Sequence, residues 1–554
     1  MKNKNYLLKN LGIIISFAFF SCLFVYPFLK TGHFFLGDDI AYHFNRINEL
    51  VYDIRHGNWY PYFYSHNFDK VNFPLGIFYP QITLIPFAVL VIVTGSYVKG
   101  IYFTYALIMF VALCLTFIVS KKVTKSNISS FFTAVIYGFS LYFSLNAYTR
   151  FDVGEFIAMA FLPLVLYGFY ATLCGNYHDW PYLAFGLSFV MLTHVLSTFI
   201  DVLFMFIIFI GLIWQAKDKK RRIISFIKSV GIFLCSSAIF LIPFMEQEHF
   251  QKFNKPTPTI LIGMPLDKII ISMLDNSMTK DGTYTVGLIG LIIIILGIIF
   301  YKRLSKLNRF SLITSVFLIL CTSSVLPVFI LNKTFINVIQ FMFRILGIST
   351  FLLAIVGGQI ASILINRNNR NARKKLLLIT LMTIAIICPW YSSVHMYKET
   401  NPILLKKDYF QTDPPYATAW YLDQYMPAKS MHIFKDIKKH VALADNKKIK
   451  LSESKNIKSI NNGIIFKSRK FNKIHKLSLP VPVYTNEKVK LNNRSINFNI
   501  SKQHTIQLSN VNLTKNSQIK VYYRMSMFDK LGIILSLLTW IIGICWLIKH
   551  KLMN

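Results

Sequence analysis

Acidic residues are scarce in this 554-residue chain, where 24 Asp and Glu stand against 60 Lys and Arg and leave a formal charge of +36. Cysteine is scarce too. The seven cysteines, at 22, 114, 174, 235, 321, 388 and 545, all fall in or beside apolar runs, so they form neither a disulfide framework nor a zinc spacing. The chain lacks a Walker-type glycine loop, an HExxH, a CxxC and a Ser elbow, which leaves nucleotide-driven transport, zinc proteolysis and serine hydrolysis without their signatures. The basic residues show no repeat of a nucleic-acid reader. A phosphate-rich or membrane-surface partner fits the charge, and nucleic acid does not.

What is abundant is apolar surface: 54% hydrophobic and 16% aromatic side chains, with a mean hydropathy of +0.47. One soluble domain cannot bury that much, so the solvent is lipid. The runs have helical length, which predicts an all-α polytopic bundle rather than a barrel. Apolar runs lie near 8 to 29, 100 to 120, 128 to 147, 156 to 173, 223 to 243, 285 to 301, 310 to 332, 347 to 365, 375 to 394 and 529 to 549. The stretch from Tyr182 to Trp214 is too long for one span and breaks at Thr193, His194, Ser197 and Thr198, reading as two helices around a polar turn. The first run lacks a small-x-small cleavage site and reads as an uncleaved anchor.

Phe78 to Gly95 is interrupted by Pro80 and Pro86, and the basic clusters decide how to count it. If it does not cross, the amino-terminal lysines and the clusters at 121 to 125, 217 to 222, 302 to 309, 367 to 375 and the carboxyl end all lie inside. The count is then 12 spans, or 13 if it crosses. This topology gathers the 30 to 77 loop, the turn at Arg150 to Glu155, the His194 turn, the 244 to 284 and 333 to 346 loops and the region 395 to 527 on the outer side of a bacterial plasma membrane.

From 395 to 527 the pattern changes to alternation, as in KIKLS, GIIFKS, SINFNI, TIQLS and QIKVYY. This predicts a β-rich extracytoplasmic domain inserted before the last helix. It carries 24 Lys and Arg against 8 Asp and Glu. The domain plan is thus 1–394 for the membrane part with its first outer loop 30–77, 395–527 for the β-rich domain, and 528–554 for the final helix and tail.

Candidate chemistry concentrates in GDDIAYHFNRINELVYDIRHG, residues 37 to 57. Ile40, Phe44, Ile47, Val51 and Ile54 share an arc, predicting an amphipathic surface helix. Asp39, His43 and Arg46 repeat at helical spacing along its edge. Asp38 or Asp39 would serve as helix cap, general base or metal ligand, and the neighbouring cation would meet phosphate. A second cluster, YTRFDVGEF, sets Arg150, Asp152 and Glu155 around Gly154, read as a tight turn. Asp201 is an ionisable group at membrane depth and a site candidate by default. His194, Glu246 and Arg344 complete the cleft candidates.

These residues resemble those of the bacterial YfhO-like membrane proteins, also labelled 6-pyruvoyl-tetrahydropterin-synthase-related, of the GT-C glycosyltransferase superfamily. The likeness rests on GDDIAYHFNRI, on Tyr79 and Pro80, on Arg150 with Gly154, Glu155, Ala158 and Pro163, on THVLS, on QFMFR, and on LSLPVPVY followed by IKVYY. It covers almost the whole chain, with two departures: Met342 and Phe343 stand where the family tends to have Pro and Trp, and the terminal domain is unusually basic. The resemblance implies a GT-C-like fold and an inverting glycosyltransferase that takes sugar from a polyprenyl-phosphate donor. The acceptor would be an anionic envelope polymer such as teichoic acid or cell-wall polysaccharide. It implies Asp39, Asp38 and Glu155 as catalytic groups, with Mg or Mn at Asp38 and Asp39, and Arg46, Arg150 and Arg344 toward the donor phosphate. A transporter or flippase of a lipid-linked sugar and a noncatalytic envelope protein are the alternatives; no clear internal repeat favours transport.

Overall fold

The computed structural model describes residues 2–256, 259–279, 283–366, 371–401, 403–405, 422–467, 474–511, 513–514 and 516–553. The chain divides into two interleaved units, one of residues 1–40, 93–233 and 258–409, the other of 41–92, 234–257 and 410–554. Residues 30–77 are divided between the units, and the last helix belongs to the unit that holds the strands from Val441–Ala444 to Gln518–Tyr523. Such grouping is set by tertiary contacts, which composition along the chain does not display.

The chain is a multi-pass membrane protein. Among the described residues seven helices are long and apolar enough to cross a bilayer, and two bent pairs raise the number to nine. Further apolar helices are shorter. Trp180–Met191 has 12 residues, Gly287–Ile299 has 13 and Lys306–Cys321 has 16, each short of the ~20 residues that a 30 Å hydrocarbon layer requires. Ile82–Thr94 is likewise a short apolar helix.

In the first unit, helix ends follow local chemistry. Tyr97–Thr124 stops at Lys125, which adopts a left-handed conformation, and Ser126 then accepts from the Ser129 N–H to start Asn127–Gly138. The predicted break near His194 is present. Trp180–Met191 ends, and His194 caps Val195–Leu212 by accepting from the Ser197 N–H. Helices approach closely where residues are small. Gly168 of Val153–Leu173 lies against the Leu183 backbone, and Gly186 returns the contact with its α-carbon facing Val165 N, 2.9 Å from where a Cβ would sit. Gly168→Leu is expected to destabilise the protein by about 1–3 kcal/mol through overpacking. Thermal unfolding in detergent checks this, and an unchanged midpoint would exclude so close a crossing. A short antiparallel pair, β1 (Phe34–Phe35) with β2 (Ile403–Leu405), ties the chain before Gly37 to the end of helix Ala372–Thr400.

The second unit contains the predicted β structure as two five-stranded antiparallel sheets. One has the order β10-β11-β7-β3-β4 (Asn499–Ile500, Thr505–Val511, Ile474–Pro482, Val441–Ala444, Lys447–Lys450). The other has β5-β6-β12-β8-β9 (Ile457–Ile460, Gly463–Lys467, Gln518–Tyr523, Glu487–Leu491, Arg494–Ile496). The alternation works as read: Ile519, Val521 and Tyr523 of β12 are buried while Gln518, Lys520 and Tyr522 face outward. Ile464, Phe466, Val489, Ile519 and Val521 meet Leu477, Leu479, Ile506 and Leu508 in one core, making a sandwich. Beside it, Ala238–Phe250 packs on Met527–Met553, where the Ile239 N–H donates to Ser536 Oγ at 2.8 Å and Trp540 Nε1 to the Ser236 carbonyl at 3.1 Å. The helix read as an amphipathic surface helix is Ile40–Arg55, but it is packed on its polar side too, with Asn45, Arg46, Glu49 and Asp53 at most 1% exposed, so it is a core helix and not a surface one. Its Glu49 carboxylate accepts from the N–H groups of Ser65, His66 and Asn67 and so holds the following loop in place.

Candidate active site

The first unit assembles a polar cluster where three chain segments meet. The π-helical turn Leu145–Thr149 leads into Arg150, a wide turn of the kind often found at functional positions. Gly37 lies so close to the next residues that a Cβ there would stand 2.9 Å from Phe151 Cβ. That proximity lets the Asp38 N–H donate to the Thr149 carbonyl at 3.2 Å and the Asp39 N–H to the Arg150 carbonyl at 2.8 Å. The loop carrying both aspartates is therefore pinned to the strip carrying Arg150. The tight turn expected at Gly154 is three residues earlier: Phe151 has φ 52°, and Gly154 lies in the first turn of Val153–Leu173. The Asp152 cap, accepting from the Glu155 N–H at 2.9 Å, fixes the helix start directly after it.

Arg150 is held by three hydrogen bonds and a ring. Its Nη1 donates to Glu155 Oε2 at 2.6 Å and to Asn146 Oδ1, its Nη2 donates to Asp152 Oδ2 at 3.0 Å, and its guanidinium sits 4.9 Å from the Phe343 ring centre. Arg150, Asp152 and Glu155 are each only 3–4% exposed. Tyr142 donates to Glu155 Oε1 at 2.5 Å. A carboxylate held by a tyrosine and a guanidinium is an ion-pair anchor. Arg344 is employed differently: its Nε is 3.9 Å from Glu155 Oε2, and that buried Nε makes no hydrogen bond among the described residues. It is the cation of this cluster best placed to receive an anion.

Asp38 is exposed and accepts from the Tyr284 hydroxyl at 2.7 Å. Asp39 keeps a partly accessible edge. Burial, with the negative charges of Asp152 and Asp38, pushes its carboxyl up to about 7, against the opposing pull of Arg150 and Arg344. A carboxylate in that range exchanges a proton near neutral pH. Burial also draws the His194 imidazole down to about 4, so it is neutral at ordinary pH; its Nδ1 faces Ser197 Oγ at 2.7 Å. Asp201 is buried within Val195–Leu212.

Other candidates belong to the second unit. Asp39 precedes Ile40–Arg55, while His43 and Arg46 lie inside it and beyond the division at Ile40. Arg46 is 1% exposed, donates from Nη2 to the Pro80 carbonyl at 2.6 Å and stacks 3.9 Å from the Tyr79 ring centre. His43 Nδ1 is 3.5 Å from Arg46 Nη1. Both are core groups of that unit. Glu246 accepts there from Asn486 Nδ2 at 2.9 Å and Ser526 Oγ at 3.1 Å.

Among the described residues no group of three or more His, Cys, Asp or Glu forms a metal cage. Mg or Mn at Asp38 and Asp39 would need phosphate and water to complete its shell, since two carboxylates alone supply too few ligands.

No family model matches the sequence. An uncharacterized protein of Lactococcus lactis subsp. cremoris (strain MG1363) is 21% identical over 346 residues, covering 59% of this chain and 55% of its own. The chain thus spans about half the length of that curated relative. Among solved structures, arabinofuranosyltransferase AftD from Mycobacteria is similar at a TM-score of 0.45 and 12% identity, over 70% of this chain and 26% of that one. ArnT from Cupriavidus metallidurans bound to undecaprenyl phosphate gives 0.33 and 11%, over 69% and 64%.

Three residues of the cluster escape a reading by motif: Tyr142, Asn146 and Tyr284. Tyr142 and Asn146 carried a usable signal, since polar groups four apart in an apolar run face one side of a helix. Tyr284 carried none, because 246 residues separate it from Asp38.

Proposed function

We propose that the first unit is a glycosyltransferase site using a polyprenyl-phosphate-linked sugar, with an anionic envelope polymer such as teichoic acid as acceptor and the site on the outer side of the membrane. The carrying observation is Asp39: a partly accessible carboxylate poised near neutrality beside an exposed partner, Asp38, with Arg344 in the same electrostatic surroundings. In the step, an acceptor hydroxyl oxygen bonds to the anomeric carbon as the bond from that carbon to the lipid phosphate breaks. The hydroxyl proton passes to Asp39, and the phosphate leaves with the bonding electrons and meets Arg344. One direct displacement inverts the anomeric centre. Asp38, held by Tyr284, orients the acceptor. Glu155 holds Arg150, and together they fix the loop against which Asp39 is pinned. Mg or Mn held by Asp38 would supply further charge for the departing phosphate and leave Asp39 to take the proton.

The test is purified protein in nanodiscs with a polyprenyl-phosphate sugar and a wall-polymer acceptor. Formation of glycosylated polymer with release of polyprenyl phosphate is expected; movement of the donor across the bilayer without its consumption would replace this assignment by that of a flippase. Arg344→Ala is expected to raise the KM for the donor about tenfold or more and to lower kcat as well, because a charge-assisted contact to phosphate contributes about 1.5–3 kcal/mol. An unchanged donor KM and kcat would remove Arg344 from this role.

A further inference from the structure

The sheet β5-β6-β12-β8-β9 turns one face into the sandwich core and the other outward. Its register places Lys458 opposite Ile465, Ile465 opposite Lys520, and Lys520 opposite Lys490. On the same face Tyr522 pairs with Lys488, and Gln518 with Lys467. Strand spacing and rise put these five lysines within a field about 14 Å on a side. Lys490 Nζ and Lys520 Nζ lie 5.7 and 5.0 Å from the Tyr522 ring centre, so the ring sits amid the charges.

The five strands contain one acid, Glu487, which is buried and accepts from the Tyr484 N–H at 2.9 Å and from Asn72 Nδ2 at 3.1 Å. Among the described residues none of the five lysines makes an ion pair. Like charges directly opposite one another weaken a sheet, so Lys490 facing Lys520 is an arrangement the fold alone does not favour. A multivalent anion removes that repulsion. A bilayer surface is the weaker match. Among the described residues of β3 to β12 the one large, well-exposed hydrophobic side chain is Ile500, which belongs to the other sheet, so this face has nothing to insert into lipid.

We propose that this lysine face binds a soluble linear polyanion of the phosphodiester class, with Tyr522 stacking on the sugar or polyol units between its charges. This deepens the function proposed above by assigning the acceptor's docking surface, and it rests on that function only in calling the polymer an acceptor.

The experiment uses the full-length protein in detergent and labelled inorganic polyphosphate as probe, with affinity followed against salt. Wild type is expected to bind with an affinity that falls as salt rises. The double variant Lys490→Gln, Lys520→Gln is expected to bind about tenfold more weakly with a shallower salt dependence. Lys490→Arg with Lys520→Arg is expected to retain binding. Thermal midpoints of the Gln variant at or above wild type exclude unfolding as the cause. Asp39→Asn is expected to bind polyphosphate as wild type does while failing in transfer, so loss of the reaction and loss of the docking surface give different results. Wild-type affinity in the double Gln variant would overturn the proposal, as would preferential capture by vesicles containing phosphatidylglycerol.

Discussion

Asp39→Asn is expected to lower the transfer rate by about 10²–10⁴-fold, the span associated with losing a positioned general base. Asn has the shape of the protonated acid but cannot take the acceptor's proton. The pH profile carries the same assignment. The base works when deprotonated, and its pKa is held up to about 7; activity should therefore fall about tenfold per unit below pH 7 and level off above it. Stability runs the opposite way. A carboxyl raised above its ordinary value of 3.8 binds its proton more tightly in the folded chain, so ionisation opposes folding as pH rises from about 4 through about 7. The Asn variant should equal or exceed wild type in thermal stability at pH 8, with the gap closing toward pH 4. Full activity of Asp39→Asn, or a flat profile between pH 5 and 8, would remove Asp39 from the base role.

The second large effect is structural. Arg150→Met leaves Glu155 and Asp152 buried without their cation, and removing one partner of such a pair costs about 3–5 kcal/mol. The change should lower the thermal midpoint by several degrees and reduce the folded yield. Adding Glu155→Gln should restore part of the loss, because the largest stranded charge is then gone. A double variant no more stable than the single one would mean that Arg150 and Glu155 are not energetically coupled.

Much of the architecture was legible because it depends on patterns that neighbouring residues reveal. The break at His194 follows from an apolar run too long for one span, and β12 from the alternation in QIKVYY. Helix lengths were less legible. Hydropathy marks the apolar runs that hold Trp180–Met191 and Lys306–Cys321, but not that these helices stop at 12 and 16 residues. Within the site, Asp38, Asp39, Arg150, Asp152, Glu155, His194 and Arg344 all belong to one unit. His43 and Arg46 do not, although they follow Asp39 by four and seven residues. A helical wheel assumes the helix already includes Asp39; here the helix begins at Ile40, and the chain passes from one unit to the other at the next residue. Arg46 then spends its charge on Pro80 and Tyr79, partners that no spacing rule announces.

The interleaving also sets a timetable. The second unit needs residues 41–92, 234–257 and 410–554 together, so its earliest piece emerges from the ribosome more than 300 residues before its sandwich strands exist. At about 5–20 residues per second that interval lasts roughly 15–60 seconds. Throughout it, Glu49 and its clasped loop wait for partners not yet made. Assembly of this protein is therefore a late closure rather than a sequence of finished domains, and a chain stopped anywhere before the sandwich would leave its first loop stranded.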